Sequence, residues 1–451
     1  MILSSVKRVV PLTGADCFVL ALSRMMRLNG QQGLVGQTHV TLDGIPSFES
    51  LRDGAKRLGD TYPLLNAFVR RNLLTLLPHW WVDSSDPRFL TVQLWCEEGV
   101  EVLPVNASLT GSSHRLAENL LNTPIEECGG LRNLRLDLVH LKKGGSTLIL
   151  TWNHLLFDGK GAELLVGSLF NIINGRTPEK FQPPKMEDVP IGEQFRKSRP
   201  AVNRFFELMM NRYQSLSGKK PRPGKLRFRV MNFTLEETTL IQARAASLSG
   251  LFPLSFYLAT ATRAHREAFL ARGHDPEHYV SSIPVQLRRK WLGANPFQNR
   301  VTVLFFSMKR ENLDSMMDAV KAAHLQFEEM TRKDLGSSFS LILRLMRRLP
   351  SFLYMKFLGT QFSGDITSFF HSATGTFAAN LCELSGVKVL NAYHVPSVSA
   401  PPGSGLFFGE SHGRITATFS WREGSVTEQE ADLVMQRMSA DLTGQTIAKF
   451  K

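Results

Sequence analysis

One short run of this sequence combines residue types that can move a proton. His154 precedes Asp158 and Gly159 in the run WNHLLFDG, which covers residues 152–159. An imidazole can act as a general base, and a nearby carboxylate can orient the chain or pair with a distant cation. Because the pattern is short, the spacing alone favours a core histidine followed by an ordinary helix-capping aspartate. The chemistry therefore depends on the elements that position these residues.

Alternating residues around this run predict two strands and a helix. Residues 134–141 and 147–154 alternate between two faces, which predicts half-buried antiparallel strands joined by a turn at Gly144 and Gly145. After Gly159, apolar residues recur at helical spacing, so a helix is expected to begin there. His154 is thus predicted to end a strand on its apolar face, where burial would lower the imidazole pKa and keep the ring neutral.

The remaining elements alternate between helix and strand without internal repeats. A capping box at Thr427 and Glu430 predicts the start of a closing helix. The pattern as a whole predicts two mixed α/β halves. The other predicted elements are a helix from Ser47 that breaks at Pro63, helices at 235–247 and 255–272, strands at 279–284 and 300–306, and a hairpin of 406–410 with 414–421.

Positive charge is concentrated between these halves. The 451 residues carry a net charge of +13, and residues 196–229 alone hold eleven basic residues against one acidic residue. Prolines and glycines in the same segment predict a turn-rich linker. We therefore expect an N-terminal lobe at 1–178, a basic crossover linker at 179–228 and a C-terminal lobe at 229–451.

A basic linker of this kind suits several partners. It could bind anionic lipid, the phosphates of a nucleotide-like cofactor or an acidic carrier protein, or it could simply be a solvated linker. Nucleic acid is the weakest candidate, because no recognised nucleic-acid-binding signature accompanies the charge. Residues 341–356 mix basic and large apolar residues around Pro350, which favours a half-buried helix at a domain edge over a membrane-surface helix.

Composition and missing motifs exclude several classes of protein. The chain is 43% hydrophobic and 21% charged, which is typical of a globular protein, and it has no uncharged apolar run of membrane-spanning length. Its four cysteines form no CxxC pair, so we expect a cytoplasmic protein without a disulfide framework or a cysteine-built metal site. Three histidines without ligand spacing are predicted to be surface or loop residues rather than metal ligands: His371, His394 and His412.

The motif and the order of elements are together similar to those of a known superfamily. The pattern of His154, Asp158 and Gly159 at a strand end resembles the HHxxxDG motif of the condensation-domain and wax ester synthase superfamily, which shares the chloramphenicol-acetyltransferase-like fold. The resemblance covers nearly the whole chain. It includes residues 11–16 (PLTGAD), the helix and turn of 51–68, residues 283–288 (IPVQLR) followed by 299–301 (NRV), and the C-terminal hairpin and helix.

This resemblance implies a fold and a reaction. The fold would be two α/β lobes, each a mixed sheet with helices, with the active site in a channel between them. The family transfers an acyl group from a thioester, of coenzyme A or of a phosphopantetheinyl acyl carrier protein, to a hydroxyl or an amine. A thioester is already activated, so neither a covalent acyl-enzyme nor a tightly bound cofactor is needed.

The resemblance also suggests roles for individual residues. His154 would be the general base, and Asp158 would be structural and paired with Arg288 from the other half. Backbone N–H groups or the hydroxyls of Ser368 and Thr374 are candidates to stabilise the oxyanion. For these two hydroxyls, however, hydrogen bonding to backbone groups in a loop is favoured over a role at the oxyanion.

Two departures from the family pattern leave an alternative open. Asn153 stands where the motif usually has its first histidine, although strand alternation turns it away from His154. It is therefore predicted to support the motif strand by hydrogen bonding. The DFGWG loop of the plant branch is absent, which argues against that branch. The alternative to an acyltransferase is a catalytically silent relative that binds a carrier protein or a lipid.

Overall fold

The computed structural model describes most of the chain. Its described residues are 9–83, 88–96, 112–126, 130–142, 144–178, 189–218, 224–287, 295–350, 352–354, 356, 365 and 367–445. The strands within them are β1 (Val9–Pro11), β2 (Val35–Leu42), β3 (Phe68–Arg71), β4 (Pro78–Trp81), β5 (Val92–Cys96), β6 (Leu134–His140), β7 (Ser146–Asn153), β8 (Leu226–Asn232), β9 (His278–Gln286), β10 (Val301–Lys309), β11 (Phe369–Thr376), β12 (Glu383–Leu384), β13 (Val387–Val395), β14 (Ser404–Ser411) and β15 (Arg414–Arg422).

Ten α-helices lie among these strands in the described ranges. They are α1 (Gly14–Leu28), α2 (Phe48–Thr61), α3 (Ser112–Asn122), α4 (Gly159–Ile173), α5 (Ile191–Met210), α6 (Leu235–Ser249), α7 (Pro253–Ala271), α8 (Met316–Arg332), α9 (Leu335–Met346) and α10 (Glu428–Thr443), with 3-10 turns at Pro63–Asn66 and Arg310–Leu313. None of the helices in the described part of the chain is both long and apolar enough to cross a membrane.

The strands form two large mixed sheets and one small sheet. The first large sheet has the order β12-β13-β2-β7-β6-β5, and the second has the order β10-β9-β11-β14-β15-β8. Strands β1, β4 and β3 make the small sheet. In the second large sheet β11 runs parallel to both of its neighbours, whereas in the first only β5 and β6 are parallel. The prediction of a mixed α/β chain is confirmed.

The hairpin that precedes the histidine motif forms as predicted, but it is more deeply buried than expected. Strands β6 and β7 pair antiparallel, and Gly144 and Gly145 adopt the positive φ angles that the turn requires. Leu148, Leu150 and Trp152 pack into the main core, whereas Ile149 belongs to a second cluster on the opposite face. The expectation of half-buried strands is therefore wrong, because apolar side chains cover both faces of the sheet.

The two large sheets do not follow the order of the chain. Strand β13 pairs antiparallel with β2, so residues from late in the sequence complete the sheet that carries the histidine motif. The hydroxyl of Thr418, in β15, also donates to the main-chain oxygen of His394, in β13, at 3.0 Å. The lobe boundaries at 178 and 229 stay a prediction. Strand β13 comes from the predicted C-terminal lobe but belongs to the sheet of β2 and β7.

Much of the predicted linker is helical. Residues 191–210 form α5, and the side chains of Ser198, Ala201 and Leu208 lie buried on one face of that helix. The interpretation of 196–229 as a turn-rich connection is therefore wrong for its first half, because an amphipathic pattern outweighs the local charge and the internal Pro200. Residues 179–188 and 219–223 of the predicted linker lie outside the described residues.

The C-terminal elements agree with the sequence. Strands β14 and β15 form the predicted hairpin, and its turn uses positive φ angles at His412 and Gly413. Helix α10 begins with a complete capping box, in which Thr427 and Glu430 satisfy each other's main-chain N–H groups. The helix across 341–346 is the end of α9, which stops before Pro350.

Candidate functional site

His154 lies in the turn that joins β7 to α4. Its main-chain N–H donates to the oxygen of Leu34 at 3.0 Å, which extends the pairing of β7 with the neighbouring strand by one residue. Its Nδ1 atom is buried without a hydrogen-bond partner in the described part of the chain. Burial lowers the pKa of His154, against the opposing effects of its own carbonyl oxygen and of Asp158.

Asn299 fixes the main chain on both sides of the imidazole. Its side-chain nitrogen donates to the carbonyl oxygen of His154 at 2.9 Å and to that of Leu155 at 3.3 Å. The same nitrogen and the main-chain N–H of Asn299 both donate to Oδ1 of Asp16, at 2.9 and 2.8 Å. Asp16 is fully buried, and burial raises its pKa although these hydrogen bonds oppose the shift. Three distant segments therefore meet at the turn.

Asp158 holds the same three-segment junction from the other side. It is the N-cap of α4, where Oδ1 accepts from the main-chain N–H of Gly161 at 2.8 Å. Its Oδ2 accepts from the main-chain N–H of Arg300 at 2.9 Å. The predicted partner of Asp158, Arg288, lies outside the described residues, so that pairing stays a prediction. Asp158 therefore joins the motif helix to the second half of the chain through a main-chain group.

Asn153 has a local structural role in the described contacts. Its side-chain nitrogen donates to Oδ1 of Asn133 at 3.0 Å, and its own Oδ1 accepts from the main-chain N–H of Leu155 at 3.1 Å. The side chain of Asn133 in turn donates to the carbonyl oxygens of Leu64 and Ala67. These bonds hold the first residues of the turn, on the side away from the imidazole.

A second imidazole lies beside this turn, contrary to the sequence prediction. His394 was expected on the surface or in a loop, but it is half-buried in β13, directly opposite Thr38 of β2. Its Nδ1 is 3.0 Å from the hydroxyl oxygen of Thr38, and that oxygen accepts from Nε1 of Trp152 at 3.1 Å. A Cβ placed on Gly159 would be 3.5 Å from Nε2 of His394. The ring edge therefore faces the start of α4.

The prediction of a surface or loop position is wrong for His371 and right for His412. His371 is fully buried in β11, where its Nδ1 contacts the carbonyl oxygen of Leu406 at 2.9 Å, so a surface position is wrong for this residue. His412 does lie in a turn. Within the described ranges no group of three or more His, Cys, Asp or Glu residues could hold a metal ion.

Trp152 links the two imidazoles through ring contacts. Its ring centroid is 5.2 Å from that of His154 and 6.4 Å from that of His394. The indole fits because its neighbour across the sheet is Gly36, where a Cβ would lie only 2.8 Å from Cζ2 of Trp152. Burial, together with the nearby imidazole of His154, lowers the pKa of His394 to about 4.

The two candidate oxyanion hydroxyls already have backbone partners. The hydroxyl oxygen of Ser368 is buried and accepts from the main-chain N–H of Val280 at 3.1 Å. Thr374 is exposed, and its hydroxyl donates to the carbonyl oxygen of Phe408 at 3.3 Å. These contacts are the ordinary structural role that the sequence favoured for both residues.

Sequence reasoning missed several residues that the structure brings to the turn. Asp16 and Asn299 stood inside segments that resemble the superfamily, but no role was assigned to them. Thr38 and His394 gave no motif signal, because only the pairing of β2 with β13 brings them together. The position of Asp16 in the first turn of α1 could be read from the sequence, but an acidic residue there is typical of any capped helix and does not indicate a functional site.

Comparison with known proteins gives matches in structure and not in sequence. No protein-family model matches this sequence, and no curated protein matches it. The structure is similar to the first condensation domain of the calcium-dependent antibiotic synthetase in complex with a substrate analogue, with a TM-score of 0.65 and 14% identity over 98% of this chain and 96% of that one. At such identity the likeness shows the fold.

Two further solved structures are similar to this chain over nearly its whole length. Trichothecene 15-O-acetyltransferase from Fusarium sporotrichioides matches with a TM-score of 0.67 and 14% identity, over 98% of this chain and 97% of that one. The X-domain in complex with OxyB from teicoplanin biosynthesis matches with a TM-score of 0.59 and 12% identity, over 98% of this chain and 94% of that one. One neighbour is therefore named as a transferase, and the other was solved bound to a protein partner.

Proposed function

We propose that this chain, which has the chloramphenicol-acetyltransferase-like fold predicted from its sequence, is an acyltransferase. It moves an acyl group from a thioester of coenzyme A or of an acyl carrier protein to a hydroxyl or an amine. The observation that carries the proposal is the state of His154. The imidazole has a buried Nδ1 and a lowered pKa, and its main chain is held by Asn299 from the other half of the chain.

In this reaction His154 is the general base. As the acceptor oxygen or nitrogen attacks the thioester carbonyl carbon, its proton moves to Nε2 of His154. The tetrahedral intermediate then collapses, the C–S bond breaks, and the leaving sulfur takes the electron pair and the proton from the imidazole. The lowered pKa of His154 supports this role, because a base must be neutral before it accepts a proton.

The residues around the imidazole keep it in place rather than react. Asn299 holds the carbonyl oxygens of His154 and Leu155, and Asp158 caps the helix that follows. Proton transfer requires heavy atoms about 2.6–3.2 Å apart, so small displacements of the ring matter. These contacts support a preformed base in the free protein.

The experiment is a product search by mass spectrometry with a matched pair of proteins. The wild type and His154→Ala are incubated with a panel of acyl thioesters of coenzyme A and of pantetheine, each with alcohols and amines. We expect ester or amide from the wild type and a loss of turnover of about 10²–10⁴ in the variant, with an unchanged circular dichroism spectrum. A folded variant that keeps its activity contradicts the base role.

A second candidate function is binding without catalysis. It is favoured by Asn153, which replaces the usual first histidine of the motif, and by the X-domain neighbour that was solved with a protein partner. The hydrogen bonds of Asn153 hold the turn that carries His154, which weighs against this alternative. Absence of any acyl product across the panel, with measurable binding of an acyl carrier protein, would favour it.

A further inference from the structure

The contact of His394 with Thr38 bears on which ring nitrogen carries the proton. The hydroxyl of Thr38 accepts from Nε1 of Trp152 and lies 3.0 Å from Nδ1 of His394. Since an indole nitrogen can only donate, one lone pair of the Thr38 oxygen is already occupied. We assign the single hydroxyl hydrogen of Thr38 to Nδ1, which then accepts. In the neutral ring this places the proton on Nε2.

The ring of His394 is also held against rotation. Its centroid lies 4.3 Å from that of Phe377 in a T-shaped contact, and Trp152 packs on another side. The main-chain oxygen of His394 accepts from the hydroxyl of Thr418, which ties β13 to the second sheet. The imidazole is therefore held between Phe377 and Trp152, and in the assigned tautomer Nε2 carries its hydrogen.

The position of Nε2 connects this donor to the proposed reaction. It faces Gly159, the first residue of α4, where a Cβ would stand 3.5 Å away. The main-chain N–H groups in the first turn of a helix carry partial positive charge, so negative charge is stabilised in this region. His154 lies five residues earlier, and both imidazoles contact the same indole.

We propose that His394 is a catalytic residue of the site, which donates a hydrogen bond from Nε2–H to the carbonyl oxygen of the acyl donor. The inference rests on the proposed acyl transfer. While His154 takes the proton of the acceptor, the carbonyl oxygen gains negative charge, and a donor fixed in advance stabilises that charge without reorganisation. The bond between donor and oxygen shortens in the tetrahedral intermediate and relaxes when the thiol leaves.

A neutral imidazole suits this role better than a charged one would. Burial together with His154 lowers the pKa of His394 to about 4, so the ring of His394 is neutral at pH 7. The charged and titratable groups that influence the ring are His154, Asp158 and Lys160. Asp158 opposes the lowering of the pKa, as does the main-chain oxygen of Gln37, whereas Lys160 adds to it.

The tautomer can be tested without turnover. In protein labelled with ¹⁵N-histidine, two-bond ¹H–¹⁵N spectra at pH 7 distinguish a ring protonated on Nε2 from one protonated on Nδ1, and His394→Phe identifies the signals. We expect the Nε2–H form in the wild type and in Thr38→Ser, and a loss of that preference in Thr38→Val. An Nδ1–H ring in the wild type overturns the proposal.

The catalytic role is tested with the thioester that the wild type turns over. His394→Phe keeps the aromatic contact with Phe377 but has no donor, and it should lower kcat by about 10²–10³ with KM within threefold. His324→Phe, on the outer helix α8, is the matched control and should retain wild-type kcat. A wild-type kcat in folded His394→Phe overturns the proposal, whereas a wild type that turns over no thioester contradicts the proposed function itself.

Discussion

The carboxylate of Asp158 joins α4 to the chain before β10 by accepting the main-chain N–H of Arg300 at 2.9 Å. The contact uses no side chain of Arg300, so it does not depend on that residue's identity. The other carboxylate oxygen of Asp158 accepts a hydrogen bond from the main-chain N–H of Gly161. One side chain thus satisfies two main-chain donors that belong to segments far apart in the sequence.

We expect graded losses when this carboxylate is changed. Asp158→Asn retains one acceptor oxygen and should cost about 1–2 kcal/mol of unfolding free energy, because one buried donor loses its charged partner. Asp158→Ala removes both acceptors and should cost about 2–4 kcal/mol. Urea denaturation at pH 7 measures both variants. Equal stability of Asp158→Ala and the wild type would show that the two bonds contribute nothing.

The predicted ion pair of Asp158 with Arg288 is a separate question that the same variants address. If the two side chains pair in the interior, Arg288→Ala alone should cost about 3–5 kcal/mol. In the double variant Asp158→Ala/Arg288→Ala the loss should be smaller than the two single losses added together. Additive losses in the double-mutant cycle would exclude the pair.

The pH dependence of activity should report His154. Burial lowers its pKa below the usual value of about 6.5 for a histidine, although Asp158 and Asp16 oppose this shift. A general base works in its neutral form, so the acid limb of kcat/KM should have its midpoint below pH 6.5. Initial rates at constant ionic strength measure the profile. An acid limb centred above pH 6.5 would contradict the environment described for this ring.

Buried neutral histidines should also make the fold sensitive to acid. Burial lowers the pKa of His39 and His265 to about 3 and that of His371 to about 4. Below about pH 6.5 the unfolded chain binds protons that the folded chain does not, so stability falls as the pH drops. Each such histidine contributes at most about 1.4 kcal/mol per pH unit.

Denaturation by urea at pH 7, 6 and 5 tests this expectation. His265→Phe keeps an aromatic ring stacked near Phe369 and should reduce the slope of unfolding free energy against pH by one proton. His324→Phe removes a partly exposed histidine and serves as the control. A slope that His265→Phe leaves unchanged would show that His265 is protonated in the folded protein.

The basic face of α5 should affect affinity for an anionic donor. A surface cavity of about 550 Å³ is lined by Arg196, Arg199, Arg204 and Lys333 together with two glutamates. Arg204 and Lys333 already pair with Glu207 and Glu329. Replacing the two exposed arginines, in Arg196→Gln/Arg199→Gln, should therefore raise KM for acyl-coenzyme A several-fold at low salt and leave kcat unchanged.

The control removes two exposed charges elsewhere, in Arg52→Gln/Lys309→Gln. Screening should reduce the effect of the α5 variant as salt rises toward about 0.5 M, because the Debye length shortens. Equal KM values for the two double variants at low salt would leave α5 with a solubilising role.

Local patterns predicted the elements of this fold more completely than they predicted its site. Alternation and turn glycines specify the hairpin of β6 and β7, since those signals act between neighbours in the sequence. The position of His394 depends on the pairing of β13 with β2, and no local sequence pattern predicts that pairing. Asp16 and Asn299 were visible as residue types, but only their contact across the two halves gives them a role at the turn.

The pairing of β13 with β2 determines how far this chain can be divided or exchanged. A piece that ended before residue 387 would leave the edge of β2 without its partner, and an unpaired edge strand invites association with other chains. A chimaera that took its second half from a relative would import a foreign strand into the sheet of the motif, and with it a foreign side chain beside His154. Exchanging one half of this protein would therefore change the sheet that carries the motif.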